Sequence, residues 1–280
     1  MKQFFLLLFL LTFFFLYKNK PHLSPLSAPI SPSAVLNSSS PTPTVYQPIE
    51  IYNPPKVKPA DSYTILFIGD SMTASLGENF DELRKALANT YPNKVFGLFN
   101  YGFGATNIFS VEDRLTKESN YLGKTIPAAL DRYFDIIIIE SFGYNPLSQY
   151  PRGVGLTHQT ETLARTLSMI NKAKPESLII LMSTIAPSKR LYAVGTVSFS
   201  SEERTKQAEE RMAYLENHIA YAQKHNFPLI NVYEKSKDKE GNALLKYINS
   251  NDHIHPSAEG VKFISEQIAE YFKQNEVLPK

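Results

Sequence analysis

Three residues of this sequence have the types and spacing needed for nucleophilic catalysis. Ser71 follows Gly69-Asp70 directly after an apolar run, where a strand turns into a helix and a hydroxyl lies near free helix amides. Asp252 and His255 are three residues apart, so one turn can bring the carboxylate to the imidazole. A hydrolytic serine needs a base for its proton, and that base needs a carboxylate that fixes its tautomer. Ser71 is therefore a candidate nucleophile, His255 a candidate base and Asp252 the carboxylate that orients it.

Two further segments contain groups that could stabilise a developing oxyanion. Gly102 and Gly104 let the backbone approach a ligand closely and can direct an amide N–H at it. Asn145 offers a side-chain amide donor. Each feature also has an ordinary explanation when taken alone: Ser71 can be a helix cap, and the glycines and Asn145 can be turn residues.

The histidines allow a second interpretation of the C-terminal segment. His253 and His255 could begin a metal site, but no third ligand is obvious, so a metal site is not expected. Surface positions are expected for the other histidines. These are His22, His158, His218 and His225.

The elements that must position these residues follow an alternating pattern from residue 61 onward. Strands are predicted at Tyr63–Ile68, Lys94–Phe99, Asp135–Ile139, Ser177–Met182 and Pro228–Val232. Helices are predicted at Asn79–Ala88, Thr157–Lys172, Glu202–His225 and Ser257–Phe272. Short apolar strands alternating with helices predict an α/β fold, a three-layer α/β/α sandwich with a mostly parallel five-stranded sheet. Functional loops lie at the carboxyl ends of such strands.

Four of these segments together resemble the SGNH hydrolases, also called the GDSL esterase/lipase family. The four characteristic residues of this family, in order, are Ser in a Gly-Asp-Ser motif, Gly, Asn, and His in an Asp-x-x-His motif. They match Ser71, Gly104, Asn145 and Asp252/His255 here, and the resemblance spans about residues 63–273. It implies a flavodoxin-like fold, a nucleophile at Ser71 and a base at His255 oriented by Asp252. It also implies an oxyanion hole formed by Ser71, Gly104 and Asn145, with no cofactor.

Two departures from the family pattern affect the oxyanion hole. Asn145 is followed by Pro146, where the family usually has Asn-Asp, so the loop after the asparagine is altered. The glycine block is about one residue shorter than common forms, so Gly102 is an alternative donor. Gly104 is favoured because Ala105-Thr106 follow it as in family members.

The N-terminal sixty residues have a different composition from the rest. Phe4 to Leu16 is almost unbroken Phe and Leu between lysines, so residues 1–20 are predicted to be a membrane anchor or a cleaved signal segment. Residues 21–60 hold ten of the nineteen prolines and are predicted to be a disordered linker. Residues 61–280 are the predicted catalytic domain. The protein is thus expected to be membrane-anchored or secreted, with this domain outside the cytoplasm.

Charge and cysteine content exclude several classes of function. The net charge is +2, but residues 1–60 hold five lysines and one acid, so the rest is close to −2. A near-neutral domain without a basic stripe is not expected to bind nucleic acid. The absence of cysteine excludes disulfides, thiolate metal sites and a cysteine nucleophile.

The predicted substrate is a carboxylic ester, most specifically an O-acyl (acetyl) group on a cell-surface or cell-wall saccharide. This expectation rests on the extracytoplasmic location and the family resemblance. A membrane-tethered lipid esterase or lysophospholipase, and a non-catalytic wall-binding module, remain alternatives, as does acyl transfer to a sugar hydroxyl. The sequence does not predict the oligomeric state.

The long connection at residues 184–204 is of a length that often serves as a lid over a site. Its larger side chains could line such a site, although surface exposure is expected for them. These are Lys189, Arg190, Tyr192 and Phe199.

Overall fold

The structure is a computed structural model and describes residues 46–279. The predicted anchor or signal segment at residues 1–20, His22 and the larger part of the predicted linker lie outside the described residues. No helix within residues 46–279 combines the length and apolar content needed to cross a bilayer.

The alternation of apolar strands and helices continues through the described chain. The strands are β1 (Ser62–Gly69), β2 (Val95–Gly102), β3 (Ser119–Tyr121), β4 (Lys124–Ile126), β5 (Ile136–Glu140), β6 (Leu178–Ser183) and β7 (Leu229–Asn231). The helices are α1 (Ser71–Ala74), α2 (Asp81–Thr90), α3 (Val111–Thr116), α4 (Arg152–Ala173), α5 (Ser201–Lys224), α6 (Val232–Lys235) and α7 (Ala258–Gln274). Short 3₁₀ turns occur at Ile108–Ser110, Ala129–Asp131 and Leu245–Tyr247.

Five strands form one parallel sheet in the order β2-β1-β5-β6-β7. Strand β5 is central and every one of its residues is buried, as expected for the β-branched run that predicted it. The remaining strands, β3 and β4, form a separate antiparallel hairpin. The predicted five-stranded α/β fold is confirmed, and its central sheet is wholly parallel.

Helices cover both faces of the sheet because alternate strand residues point to opposite sides. Ile65 and Ile138 belong to one apolar cluster, which includes residues of α2 and α7. Leu66 and Ile139 belong to a second cluster, which includes residues of α3 and α4. Helix α5 contributes residues to both clusters. The layers are therefore those of the predicted α/β/α sandwich.

The register of the sheet brings the candidate segments together. Gly69 and Gly102 are register partners at the carboxyl ends of β1 and β2. Strand β5 pairs with β1 on its other side, so the segment after β5 leaves the same edge. The segments that contain Ser71, Gly104 and Asn145 thus begin next to one another.

Residues 46–60 correct the predicted boundary between linker and domain. Tyr52 is buried, its hydroxyl accepts a hydrogen bond from the Ile179 N–H (3.0 Å), and its ring stacks on Phe227 at 4.4 Å. Strand β7 pairs with β6 only from Leu181 onward, so Tyr52 supplies an acceptor that the sheet lacks there. The domain therefore includes residues 46–60. Proline-rich composition indicates an extended chain, but it does not show whether that chain packs on the domain.

His218 is a second correction, because it was expected at the surface. It lies on α5 with 1% of its surface exposed, and burial lowers its pKa to about 3. The imidazole is therefore neutral at physiological pH. Helix α5 contacts both apolar clusters, so a larger part of its circumference is buried than the sequence pattern suggests.

Candidate active site

Ser71 is the first residue of helix α1 and follows β1 after a single residue. The cap of this helix is Asp70, whose Oδ1 accepts a hydrogen bond from the Met72 N–H at 2.8 Å. The alternative role of Ser71 as a cap is therefore wrong. The first amide groups of a helix have no partner within it, so the Ser71 N–H remains available to a ligand.

The glycine segment places Gly104, not Gly102, beside Ser71. The Gly102 N–H donates to Asn100 Oδ1 at 2.8 Å, and a Cβ on Gly102 would lie 2.3 Å from the Ala74 nitrogen. Gly102 thus permits close packing of α1 on β2 and lies beside Ala74 of that helix. A Cβ on Gly104 would lie 3.8 Å from Ser71 Cβ. This geometry favours Gly104 as the amide donor of an oxyanion hole.

Asn145 is tied to the nucleophile segment through Asp70. Its Nδ2 donates to Asp70 Oδ2 at 2.9 Å, and its backbone N–H closes a turn on the Phe142 carbonyl at 3.1 Å. An asparagine amide has two N–H donors, so one remains for a substrate. Pro146, the departure from the family pattern, leads into the buried Leu147 and leaves the asparagine in this position.

Asp252 and His255 form a hydrogen-bonded pair. Asp252 Oδ2 lies 2.9 Å from His255 Nδ1, and Oδ1 accepts from the N–H groups of Ile254 (2.8 Å) and His255 (3.0 Å). Partial burial acts to raise the pKa of Asp252, but these hydrogen bonds outweigh it and hold the pKa below its usual value. With Nδ1–H directed at the carboxylate, Nε2 is the atom left to accept another proton.

The histidine lies near the nucleophile segment. Burial raises the pKa of Asp70, the residue before Ser71, and an electrostatic interaction with His255 is among the effects that oppose this rise. In the described chain no hydrogen bond joins the Ser71 hydroxyl to His255. Catalytic hydrogen bonds are often long in the absence of substrate and shorten when it binds.

The connection at residues 184–204 supports the histidine segment. His253 Nδ1 lies 2.9 Å from the Val194 carbonyl, and the Thr196 hydroxyl donates to the Asp252 carbonyl at 3.4 Å. Tyr192, expected at the surface, is buried in the first apolar cluster, and Arg211 Cζ lies 4.8 Å from its ring centroid. The exposure expected for Lys189 and Arg190 is confirmed, and Phe199 is partly buried.

The alternative metal site at His253 and His255 finds little support in the geometry. Both Nδ1 atoms already face protein oxygens, those of Val194 and Asp252. Nowhere in residues 46–279 do three or more potential histidine or carboxylate ligands come together.

Arg114 is a buried, charged residue that was not among the site residues predicted from the sequence. From α3 it donates to the carbonyls of Gly69 (2.6 Å) and Tyr101 (2.8 Å), at the ends of β1 and β2. Its guanidinium lies 4.4 Å from the Phe103 ring centroid. Burial lowers its pKa to about 10, so it stays charged at neutral pH. We infer that Arg114 holds the nucleophile and glycine segments in register.

Glu140 is a second unpredicted positioning residue, at the end of β5. Its carboxyl group accepts hydrogen bonds from the Ser141 hydroxyl, the Phe142 N–H and the Asp70 N–H. It thereby connects the turn that leads to Asn145 with the turn that carries Ser71. Burial, and the negative charge of Asp70, raise the pKa of Glu140 well above its ordinary value.

The raised pKa of Glu140 predicts a specific pH dependence of stability. The folded protein keeps this proton over a pH range in which the unfolded chain has released it. The free energy of unfolding should therefore fall, by about 1.4 kcal/mol per pH unit, as pH rises from the unfolded pKa toward the folded pKa. Glutamine in Glu140→Gln does not titrate, so the variant does not lose stability in this way. As pH rises from about 5 to about 8, its free energy of unfolding, measured with urea, should increase relative to that of wild type.

A matched control for this experiment is Glu266→Gln, since Glu266 is a half-exposed carboxylate on α7. The difference in free energy of unfolding between Glu266→Gln and wild type should be the same at both ends of this pH range. An equally constant difference for Glu140→Gln would contradict the prediction.

Comparison with known proteins places these segments in a family context. The sequence matches the family model described as GDSL-like lipase/acylhydrolase over residues 67–263, a range that includes all the candidate site residues. None of the curated proteins matches it at a significant level.

Several solved structures share the fold at low sequence identity. A lipase/acylhydrolase from Enterococcus faecalis has 19% identity and a TM-score of 0.53, over 76% of this chain and 96% of that one. A GDSL-like lipase from Parabacteroides merdae, so named provisionally, has 15% identity and a TM-score of 0.56, over 80% and 100%. The acetyl xylan esterase AlAXEase has 15% identity and a TM-score of 0.53, over 74% and 98%.

Proposed function

Because the chain belongs to the GDSL-like lipase/acylhydrolase family, we propose that it is a serine ester hydrolase with Ser71 as nucleophile and His255 as general base. The observation that carries this proposal is the 2.9 Å contact between His255 Nδ1 and Asp252 Oδ2, which orients an imidazole near the nucleophile segment. A Ser-His-Asp mechanism uses this arrangement of base and carboxylate.

In the proposed reaction, Ser71 Oγ attacks the ester carbonyl carbon while His255 Nε2 accepts the hydroxyl proton. The tetrahedral oxyanion accepts hydrogen bonds from the Ser71 N–H, the Gly104 N–H and Asn145 Nδ2. Collapse of this intermediate expels the alcohol, which takes the proton from His255, and leaves an acyl group on Ser71. Water, activated by the same imidazole, then releases the acid.

A fluorophosphonate probe tests the proposal, because it phosphonylates only an activated serine. We expect one label per chain, located at Ser71 by peptide mass spectrometry. Ser75→Ala provides the control, since Ser75 lies one turn further along the same segment and should not alter labelling. Absence of label from the wild-type protein would refute the assignment.

A half-exposed aromatic cluster supports a saccharide ester as the substrate class. Phe109 and Tyr150 are 40% and 37% exposed, and the Tyr150 ring centroid lies 4.7 Å from that of His158. Phe109 and Tyr150 each follow an oxyanion-hole residue, Gly104 or Asn145, by five positions. Phe109 and Tyr150 therefore lie on the same two segments, after β2 and β5, as the proposed oxyanion-hole residues.

The chemistry of this cluster suits a sugar ring better than an acyl chain. A sugar ring has an apolar C–H face that packs on aromatic rings, and a hydroxylated rim that can bond to the tyrosine hydroxyl and the imidazole. A long acyl chain would be better served by a continuous aliphatic surface. We therefore propose that the substrate is an O-acylated, most simply O-acetylated, saccharide.

Replacing Tyr150 tests this substrate class. Tyr150→Ala should lower kcat/KM for an O-acetylated oligosaccharide about three- to tenfold, the range of one aromatic contact. Hydrolysis of p-nitrophenyl acetate, which has no sugar, should be unchanged, and Tyr133→Ala at another exposed tyrosine is the control. Equal losses on both esters would contradict the proposal, and a preference for lysophospholipid over acetylated sugar would favour a lipid esterase.

The proposed location follows from the apolar run at residues 4–16. We propose that residues 1–20 anchor the protein in a membrane or direct its secretion, with the catalytic domain outside the cytoplasm. Cell fractionation and the intact mass of the isolated chain test this. Recovery in the cytosol with an unprocessed N-terminus would refute it.

A further inference from the structure

A tyrosine hydroxyl lies in the position that a substrate oxygen must occupy. Tyr121 Oη accepts a hydrogen bond from the Gly104 N–H at 2.7 Å. A Cβ built on Gly104 would lie 3.1 Å from this hydroxyl and 3.8 Å from Ser71 Cβ. The hydroxyl and the nucleophile are therefore on the same side of Gly104.

The amide of Gly104 has one hydrogen to donate, and the proposed reaction requires it for the oxyanion. Oxyanion-hole donors act at about 2.7–3.1 Å from the oxygen that they stabilise. The Tyr121 hydroxyl is already within that distance of the Gly104 nitrogen. Substrate and Tyr121 therefore compete for the same N–H.

Tyr121 belongs to a short hairpin with an exposed turn. It ends β3 of the hairpin Ser119–Ile126, whose turn residues Leu122 and Gly123 have positive φ angles of 50° and 75°. Leu122 is 83% exposed. Surface elements with little buried apolar area open at low cost in free energy.

The hairpin contacts the glycine segment through Tyr121 and the segment after α1 through Lys124, and Ile126 at its end packs against the second apolar cluster. The Tyr121 ring stacks on Phe103, with centroids 4.4 Å apart and an interplanar angle of 12°. Lys124 forms an ion pair with Glu78, and both side chains are more than half exposed. Exposed pairs of this kind contribute little to stability.

We propose that the hairpin Ser119–Ile126 is a lid and that Tyr121 is a further residue of the active site, whose hydroxyl fills the oxyanion position until an ester displaces it. This inference rests on the proposed function, because it takes the Gly104 N–H as a catalytic donor. Tyr121 keeps the Gly104 amide directed toward Ser71 in the empty enzyme. Each substrate must break this hydrogen bond, which lowers the rate for esters that bind weakly.

The test is Tyr121→Phe, which removes the hydroxyl and keeps the ring that stacks on Phe103. We expect kcat/KM for p-nitrophenyl acetate, and the rate of fluorophosphonate labelling of Ser71, to rise about two- to tenfold, since one neutral hydrogen bond no longer has to be broken. Tyr133→Phe is the matched control, because Tyr133 is 70% exposed and its hydroxyl donates to Asp135. It should leave both rates unchanged.

A second variant weakens the lid without changing Tyr121. Lys124→Ala removes the ion pair with Glu78 and should raise both rates, by less than Tyr121→Phe does. Lys85→Ala is its control, since Lys85 forms a similar exposed pair with Glu82 on α2. It should have no effect on either rate.

The outcomes separate the lid from the proposed function. A fall in kcat/KM for Tyr121→Phe would overturn the lid and show that Tyr121 donates its own proton to the oxyanion. Unchanged rates in both lid variants would also overturn it. Absence of label from every variant and from wild type would instead refute Ser71 as the nucleophile, and the lid with it.

Discussion

Replacement of Ser71 by alanine is expected to lower kcat/KM for p-nitrophenyl acetate by at least about 10⁴-fold. The variant keeps the base and the oxyanion donors but has no atom that can form the acyl-enzyme. The fold should be unaffected, because the cap of α1 is provided by Asp70 and not by the serine. Ester hydrolysis and thermal unfolding measured on the same preparation test both parts.

Ser75→Ala is the matched control for this experiment. Ser75 ends the same segment, and its hydroxyl donates to the Ser71 carbonyl at 2.7 Å. Its loss should leave hydrolysis close to the wild-type rate. Undiminished activity of Ser71→Ala would eliminate this serine as the nucleophile.

The second large effect is expected for Asp252→Asn, with a fall in kcat of about 10³–10⁴-fold. Asp252 Oδ1 accepts two backbone N–H groups, so the oxygen of the new side chain should remain there. The amide nitrogen would then face His255 Nδ1 and force the proton onto Nε2. In this tautomer the imidazole cannot accept the serine proton.

Asp238→Asn is a suitable control, because Asp238 also accepts two backbone N–H groups, from Glu240 and Asn242, in an exposed turn without a histidine. It should retain wild-type kcat. A small effect of Asp252→Asn would indicate that the carboxylate does not set the tautomer of His255.

The parts of the fold that the sequence predicted are those whose signals are local. The run of isoleucines at residues 136–139 predicted the central strand because a fully buried parallel strand needs apolar residues on both faces. Ser71 and the Asp252/His255 pair were identifiable because each motif is contiguous and follows a recognisable element. The order of the motifs then located the carboxyl edge of the sheet.

The missed features depend on contacts between distant segments. Arg114 bonds to the Gly69 carbonyl, 45 positions away, and Glu140 accepts from the Asp70 amide. These partners are backbone atoms, which every residue has. The pattern of side chains in the sequence therefore does not predict such hydrogen bonds. The three-residue strands that carry Tyr121 are too short to show alternation. The packing of Tyr52 was not predicted, because it lies in a proline-rich segment that was interpreted as a disordered linker.

The packing of residues 46–60 also determines how the domain would respond to a pull on its N-terminal chain. Tyr52 contacts β6 through the Ile179 amide, and its own N–H donates to the His225 carbonyl at 2.8 Å, just before β7. Both contacts lie at the amino ends of the strands. Tension would therefore enter the sheet at the edge opposite Ser71 and be resisted there. The loops that carry the reaction follow the opposite, carboxyl ends of the strands.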